Sequence, residues 1–160
     1  MTVEALPRDG HWLPADSEIL RAHLAGDTLR LVLSAAQVEV MGTAGRRLTG
    51  HASGLTLVCE GLDAASLAAL PPVGELMGRV ADGRLQVGGA WHRRWPLHAR
   101  LHAPLDAELR GPLHAPPADA AGAPVRLQWQ LAHRTELDWC CARAWLDGLD
   151  GARFHPSLAC

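Results

Sequence analysis

In the segment SEILRAHLAGDTLRLVLS, Ser17 to Ser34, apolar residues recur at every second position and stay in phase when the segment is folded back on itself. A period of two is the signature of a strand with one buried face. Folding at Gly26-Asp27, a two-residue turn that can supply positive φ, sets Leu24 opposite Leu29, Ala22 opposite Leu31 and Leu20 opposite Leu33. The other face pairs His23 with Arg30 and Arg21 with Val32, and so is solvated.

The same operation predicts two further hairpins. In ELMGRVADGRLQVGG, a turn at Asp82-Gly83 pairs Val80 with Leu85, Gly78 with Val87 and Leu76 with Gly89. In PVRLQWQLAHRTELDWCCA, a loop of His133, Arg134 and Thr135 pairs Leu131 with Leu137, Trp129 with Trp139 and Leu127 with Cys141. AQVEVM (36–41) and GLTLVCE (54–60) also alternate and read as strands. LDAASLAAL is alanine-rich, has Asp63 as a cap and stops before Pro71-Pro72, which predicts one short helix near 63–70. Residues 142–150 fit either a strand or a helix. Residues 1–16 read as an irregular N-terminal arm, and HAPPADAAGAP (114–124) as a Pro/Ala-rich loop. The sum is a single mainly β domain spanning 1–160, an antiparallel barrel or sandwich of about 8–10 strands. An echo between Leu20–Asp27 and Leu76–Gly83 would fit either a duplicated unit or two independent uses of hairpin grammar.

A chain of 160 residues can bury a core without disulfide or metal staples. Its formal charge of −2 provides no cationic field, which argues against broad binding to nucleic acid or to an anionic membrane. All fifteen basic residues are arginine. The N-terminal text has no basic segment leading into an apolar run, so a soluble, cytoplasmic protein is expected. Cys59, Cys140, Cys141 and Cys160 match neither a zinc knuckle nor a CxxC pair and read as reduced structural thiols.

No nucleophile elbow, phosphate loop or zinc-protease motif occurs, so no catalytic residue and no cofactor is nominated. The most suggestive stretch is AWHRRWPLHARLHAPLDAELRG, Ala90 to Gly111. Trp91, His92, Arg93, Arg94 and Trp95 combine stacking surfaces with guanidinium groups, as single-strand nucleic-acid binders do. Parity favours a plainer reading. Odd positions from Trp91 to Leu109 are apolar except for Arg93, whereas even positions carry His92, Arg94, His98, Arg100, His102, Asp106 and Glu108. A three-residue loop at Ala103–Leu105 would set His102 against Asp106 and Arg100 against Glu108. His98 and His102 are the tightest histidine pair, but on a strand they stand about 13 Å apart at ~3.3 Å per residue, too far for one metal ion. Asp106 and Glu108 have carboxylate spacing met on any exposed strand.

These residues lead to a non-catalytic β domain that binds a protein partner, a second copy of itself or a small apolar ligand. The alternatives are a metal protein or enzyme using His92, His98 and His102, and a single-strand nucleic-acid binder using residues 91–95. A concave setting for the even-numbered face of 92–110 would mark it as functional, and a flat one as scaffold.

Overall fold

The computed structural model describes residues 4–7, 9–99, 101–102 and 124–157, with the backbone alone at 101–102. Among the described residues the chain is mainly β and antiparallel, with thirteen strands in one sheet that is not closed. The 114–124 loop, all but its last residue, lies outside the described residues, as do the 103–105 loop, Arg100, Asp106, Glu108 and Cys160.

A long hairpin organises everything else. Strands β2 (Gly10–Ala25) and β3 (Thr28–Met41) pair through the Gly26-Asp27 turn in the register read from the sequence, from Ala25–Thr28 back to Arg21–Val32. There the register slips. Ile19, not Leu20, faces Leu33, and Leu20 is bulged outward with 54% of its surface exposed. A further irregularity lies between Leu13 and Glu18, where Asp16 adopts a φ of 66°. Ser17 repairs it: its buried hydroxyl donates to the Leu13 carbonyl at 2.9 Å and accepts from the Trp12 indole and the Gln37 amide, each at 3.0 Å. The expected irregular arm is therefore corrected: β1 (Glu4–Ala5) and the first half of β2 are strand within it. Trp12 is fully buried as a result.

β3 is long enough to serve two neighbours. Its first half pairs with β5 (Leu55–Glu60) and its second with β4 (Arg47–Ser53), which in turn pairs with β13 (Arg153–Pro156). β2 also meets β6 (Gly78–Val87) at Glu18 and Ile19, and β8 (Trp95–Pro96) at His11 and Trp12. Beyond β6 come β10 (Val125–Leu131) and β11 (Glu136–Cys141). The undecided 142–150 segment supplies β12 (Arg143–Asp147), on β5 and on β9 (Leu101–His102), followed by one 3-10 turn at Leu149–Gly151.

Two hairpins required correction. Asp82-Gly83 is not a turn: β6 runs straight through it, with a bulge opposite Gln130 and Leu131. Glycine is needed there for space, since a Cβ would lie 2.7 Å from Pro14 Cβ and 3.2 Å from Trp129 Cδ1. The turn falls at Gly88-Gly89, with φ of 57° and 80°, and joins β6 to β7 (Ala90–His92). With that turn gone, the echo between Leu20–Asp27 and Leu76–Gly83 marks no repeated hairpin. In the third hairpin the loop is Ala132–Arg134, closed by the Leu131 amide on the Thr135 carbonyl at 2.8 Å, with Arg134 left-handed at φ 74°. A loop displaced by one residue moves the pairing by two, so Trp129 faces Leu137 and Leu127 faces Trp139. Parity survives, and Leu127, Trp129, Leu131, Leu137, Trp139 and Cys141 are all buried.

The core centres on four tryptophans. Trp95–Trp12, Trp12–Trp129 and Trp129–Trp139 meet edge to face, with centroids 4.6, 5.6 and 5.2 Å apart. Such contacts add about 0.5–1.5 kcal/mol each beyond area burial. Leu55, Leu57 and Cys59 share the buried face of β5, as their alternation predicted. Cys59, Cys140 and Cys141 are free thiols; Cys141 hydrogen-bonds Cys59, and that contact together with burial pushes its pKa up.

Helix α1 (Ala64–Ala69) begins where expected, with the Asp63 carboxylate accepting the Ser66 amide at 2.7 Å. It lies along β11. The Asp63 amide donates to the Cys140 carbonyl at 3.2 Å, the Ser66 hydroxyl accepts the Cys140 amide at 2.7 Å, and Ala142 donates to Glu60 at 3.0 Å. Ser66→Ala strands the Cys140 amide and is expected to cost about 1–3 kcal/mol in urea unfolding. A cost near zero would mean that the helix is not anchored through this hydroxyl.

Candidate functional site

The segment 91–98 splits into two places. Trp91, His92 and Arg93 belong to the β6–β7 hairpin, whereas Arg94, Pro96 and His98 line a cleft at the far end of the long hairpin. Trp95 sits beneath that cleft in the core, as parity predicted, but Trp91 does not: 38% of its surface is exposed. The Arg84 guanidinium lies 4.2 Å from the Trp91 ring centroid and also donates to Gln128 at 2.8 Å. Gln128 donates to Asp138, which takes both arms of Arg126 at 2.9 and 2.6 Å. These contacts, Arg126 foremost, hold the Asp138 carboxyl below its ordinary range. Arg93, read as the one charge on an apolar face, is exposed and paired with Asp82. The stacking and guanidinium groups of 91–95 thus do not form one continuous strip.

The cleft has a volume of about 570 Å³, within the roughly 300–1,000 Å³ of small-ligand pockets. Strand pairing explains its composition. Pro96 of β8, His11 of β2, Glu39 of β3 and Thr49 of β4 stand side by side in one row across four strands. The next row inward is Trp95, Trp12, Val38 and Gly50, all buried. Alternation along each strand therefore separates a packed inner face from a polar outer one, and the cleft lies at the strand ends, where outer-face His11 and Glu39 meet Gly10 and Val40 of the inner face. Gly10, Val40, Met41 and Pro96 supply its apolar surface.

Charged groups converge on Glu39. Arg94 donates to its Oε2 at 3.1 Å, and Arg47 approaches the same oxygen at 3.6 Å, outside hydrogen-bonding range. Glu39 is thus the acidic partner of Arg94, which the local sequence does not supply. Asp9, His11 and His98 complete the polar lining. A second cleft of about 610 Å³ also reaches His98, with Leu6, Leu97, Leu146 and Leu149 on its wall.

His11 has its pKa lowered, first by burial and next by the Arg94 guanidinium; Arg47 and His98 act in the same direction and Glu39 opposes them. Burial alone lowers His92. For a histidine whose folded pKa is depressed, the unfolded chain binds the proton first as the pH falls. Stability is full above the unfolded value of about 6.5 and declines as pH falls from there through the lower folded value. The thermal midpoint is thus expected to fall between about pH 7 and pH 5, and less steeply in a His11→Asn/His92→Asn variant. Identical slopes in scanning calorimetry would contradict this assignment.

Among the described residues, no group of three His, Cys, Asp or Glu side chains is placed to hold a metal ion, and no helix is long and apolar enough to cross a membrane. The His102 side chain lies outside the described residues. The signal for this site was present only in part: Arg94 and His98 stood out in the sequence, whereas His11, Glu39 and Arg47 join them through strand pairing over long separations. Comparisons with protein-family models, with curated proteins and with solved structures find no match to this chain.

Proposed function

We propose that this chain is a non-catalytic binding domain that takes a small ligand with an apolar body in the cleft formed by β2, β3, β4 and β8. The observation that carries the reading is the cleft itself: an apolar surface of Gly10, Val40, Met41 and Pro96 beside a few convergent polar groups. That combination is how small-ligand sites obtain both affinity and orientation. A packed wall supports it, since the row beneath is held by Trp12 and Trp95, so the site needs little ordering on binding.

Those tryptophans also furnish the readout. Titration with a panel of lipids and metabolites, followed by tryptophan fluorescence and native mass spectrometry, is expected to yield a 1:1 complex. Met41→Asp puts a charge on an exposed wall residue and is expected to weaken that complex about tenfold, a loss of ~1.4 kcal/mol. No response to any apolar compound would end this reading.

A further inference from the structure

We infer that His51 and His155 form a two-histidine site for a late divalent transition ion of the Ni²⁺ or Cu²⁺ kind, which clasps β4 to β13. The inference is independent of the cleft between β2, β3, β4 and β8.

Strand register makes the pair. His51 of β4 and His155 of β13 are direct antiparallel partners, and residues directly opposite each other project to the same face with Cβ atoms about 4.5–5.5 Å apart. The Ser157 amide donates to the Thr49 carbonyl at 2.9 Å. Two residues further along each strand, His51 and His155 therefore occupy a hydrogen-bonded pair, at the wider end of that range. This spacing suits one ion. In the helical zinc motif two histidines at i and i+4 share a metal, and such positions have Cβ atoms about 5–6 Å apart. Nothing in the sequence marks the two residues as a pair, because strand pairing and not local spacing brings them together.

The two rings are open to a ligand. Gly50, Ala52 and Phe154, their neighbours along the strands, are buried, so both half-buried imidazoles project from the outer face of the sheet. Among the described residues the His51 ring makes no hydrogen bond. His155 Nε2 has the Ser53 hydroxyl at 3.4 Å, which is longer than an ordinary hydroxyl hydrogen bond and yields readily to a metal. A depression of about 430 Å³, which His51 lines with Asp16, Glu18, Gln37 and Arg79, gives room for bound water on its flank.

Ligand chemistry selects the ion. Neutral imidazole suits Ni²⁺, Cu²⁺ and Zn²⁺, whereas Mg²⁺ and Ca²⁺ require a cage of oxygen atoms. With two protein nitrogens, water completes the coordination shell, and Cu²⁺ binds most tightly of the three. An ion held by both strands exists only in the folded chain, so binding stabilises it.

The test titrates Ni²⁺ into the untagged full chain at neutral pH by calorimetry and follows the thermal midpoint. One ion per chain is expected, with a midpoint that rises with Ni²⁺ concentration. His51→Gln and His155→Gln should each weaken binding at least about tenfold, the lower end of the loss that even outer partners of a metal produce. The double variant should lose little more than either single one, since both substitutions remove the same bridge. His23→Gln, on the β2–β3 hairpin, should leave the affinity unchanged, and the metal-free midpoint of each variant shows that it is folded. The electron paramagnetic resonance spectrum of the Cu²⁺ complex of the wild-type chain should carry the splitting of two nitrogen ligands. A loss with only one of the two substitutions, Ni²⁺ binding retained by the double variant, or no binding by the wild-type chain would each overturn the inference.

Discussion

Trp12→Ala is expected to lower the unfolding free energy by about 3–5 kcal/mol. Trp12 is the junction of the indole chain, in edge-to-face contact with both Trp95 and Trp129. It is fully buried, so truncation leaves a void that two rigid neighbouring rings cannot close. The indole N–H is also half of a paired system: it donates to Ser17, whose hydroxyl closes the irregular stretch of β2. Trp12→Phe separates the two contributions, because it keeps a ring and removes the donor, and should fall between wild type and Trp12→Ala. Urea unfolding gives the free energies, and near-ultraviolet circular dichroism reports the loss of the coupled indoles. A cost below about 1 kcal/mol for Trp12→Ala would show that this residue is not the centre of the core.

Gly50→Ala is expected to cost about 3 kcal/mol or more, at the upper end of overpacking effects. Gly50 lies in β4 between Val38 of β3 and Pro156 of β13. A Cβ there would collide with the His155 carbonyl and lie 2.6 Å from Phe154 Cε2. The carbonyl is backbone and Phe154 is buried, so neither can swing aside. The cheapest escape is for β13 to leave β4, which would expose Phe154. Gly74→Ala is the matched control, since a Cβ at Gly74 meets nothing within 4 Å. Hydrogen exchange should show early loss of protection at the β13 amides in Gly50→Ala alone. Wild-type protection in that variant would mean that the two strands can separate at little cost.

How much of this fold the sequence discloses depends on how local each determinant is. The Gly26-Asp27 hairpin was legible because a two-residue turn fixes the register of the pairs beside it, and that register holds as far as Arg21–Val32. It failed at Leu20, where the bulge answers to packing several residues away. Asp82-Gly83 has the letters of a turn but sits where Pro14 and Trp129 crowd the backbone, a requirement set by residues distant in sequence. Arg134 holds the left-handed position of its loop without being glycine or asparagine, so nothing marked it. In the third hairpin the buried faces were read correctly although the pairings were not, because a slip by two residues preserves parity, whereas the one-residue slip at Leu20 turned that side chain outward and Trp91 also lies exposed. The cleft was the least legible feature. Its residues come from four strands, and only their pairing brings Arg47 and Arg94 to one carboxylate.

The stitching between the segment around α1 and the end of β11 has a consequence for how this protein fails. Ser66 and Cys140 are 74 residues apart, so the contacts that hold the helix over β11 close a large loop. Segments of this kind open by themselves, well below the free energy of global unfolding. Release of α1 would leave the amide and carbonyl of Cys140, on the side of β11 away from β10, without these partners and open to pairing with another molecule. Sequence changes that loosen this six-residue helix, Ser66→Ala among them, are therefore expected to raise the tendency to self-associate along β11 in addition to lowering stability.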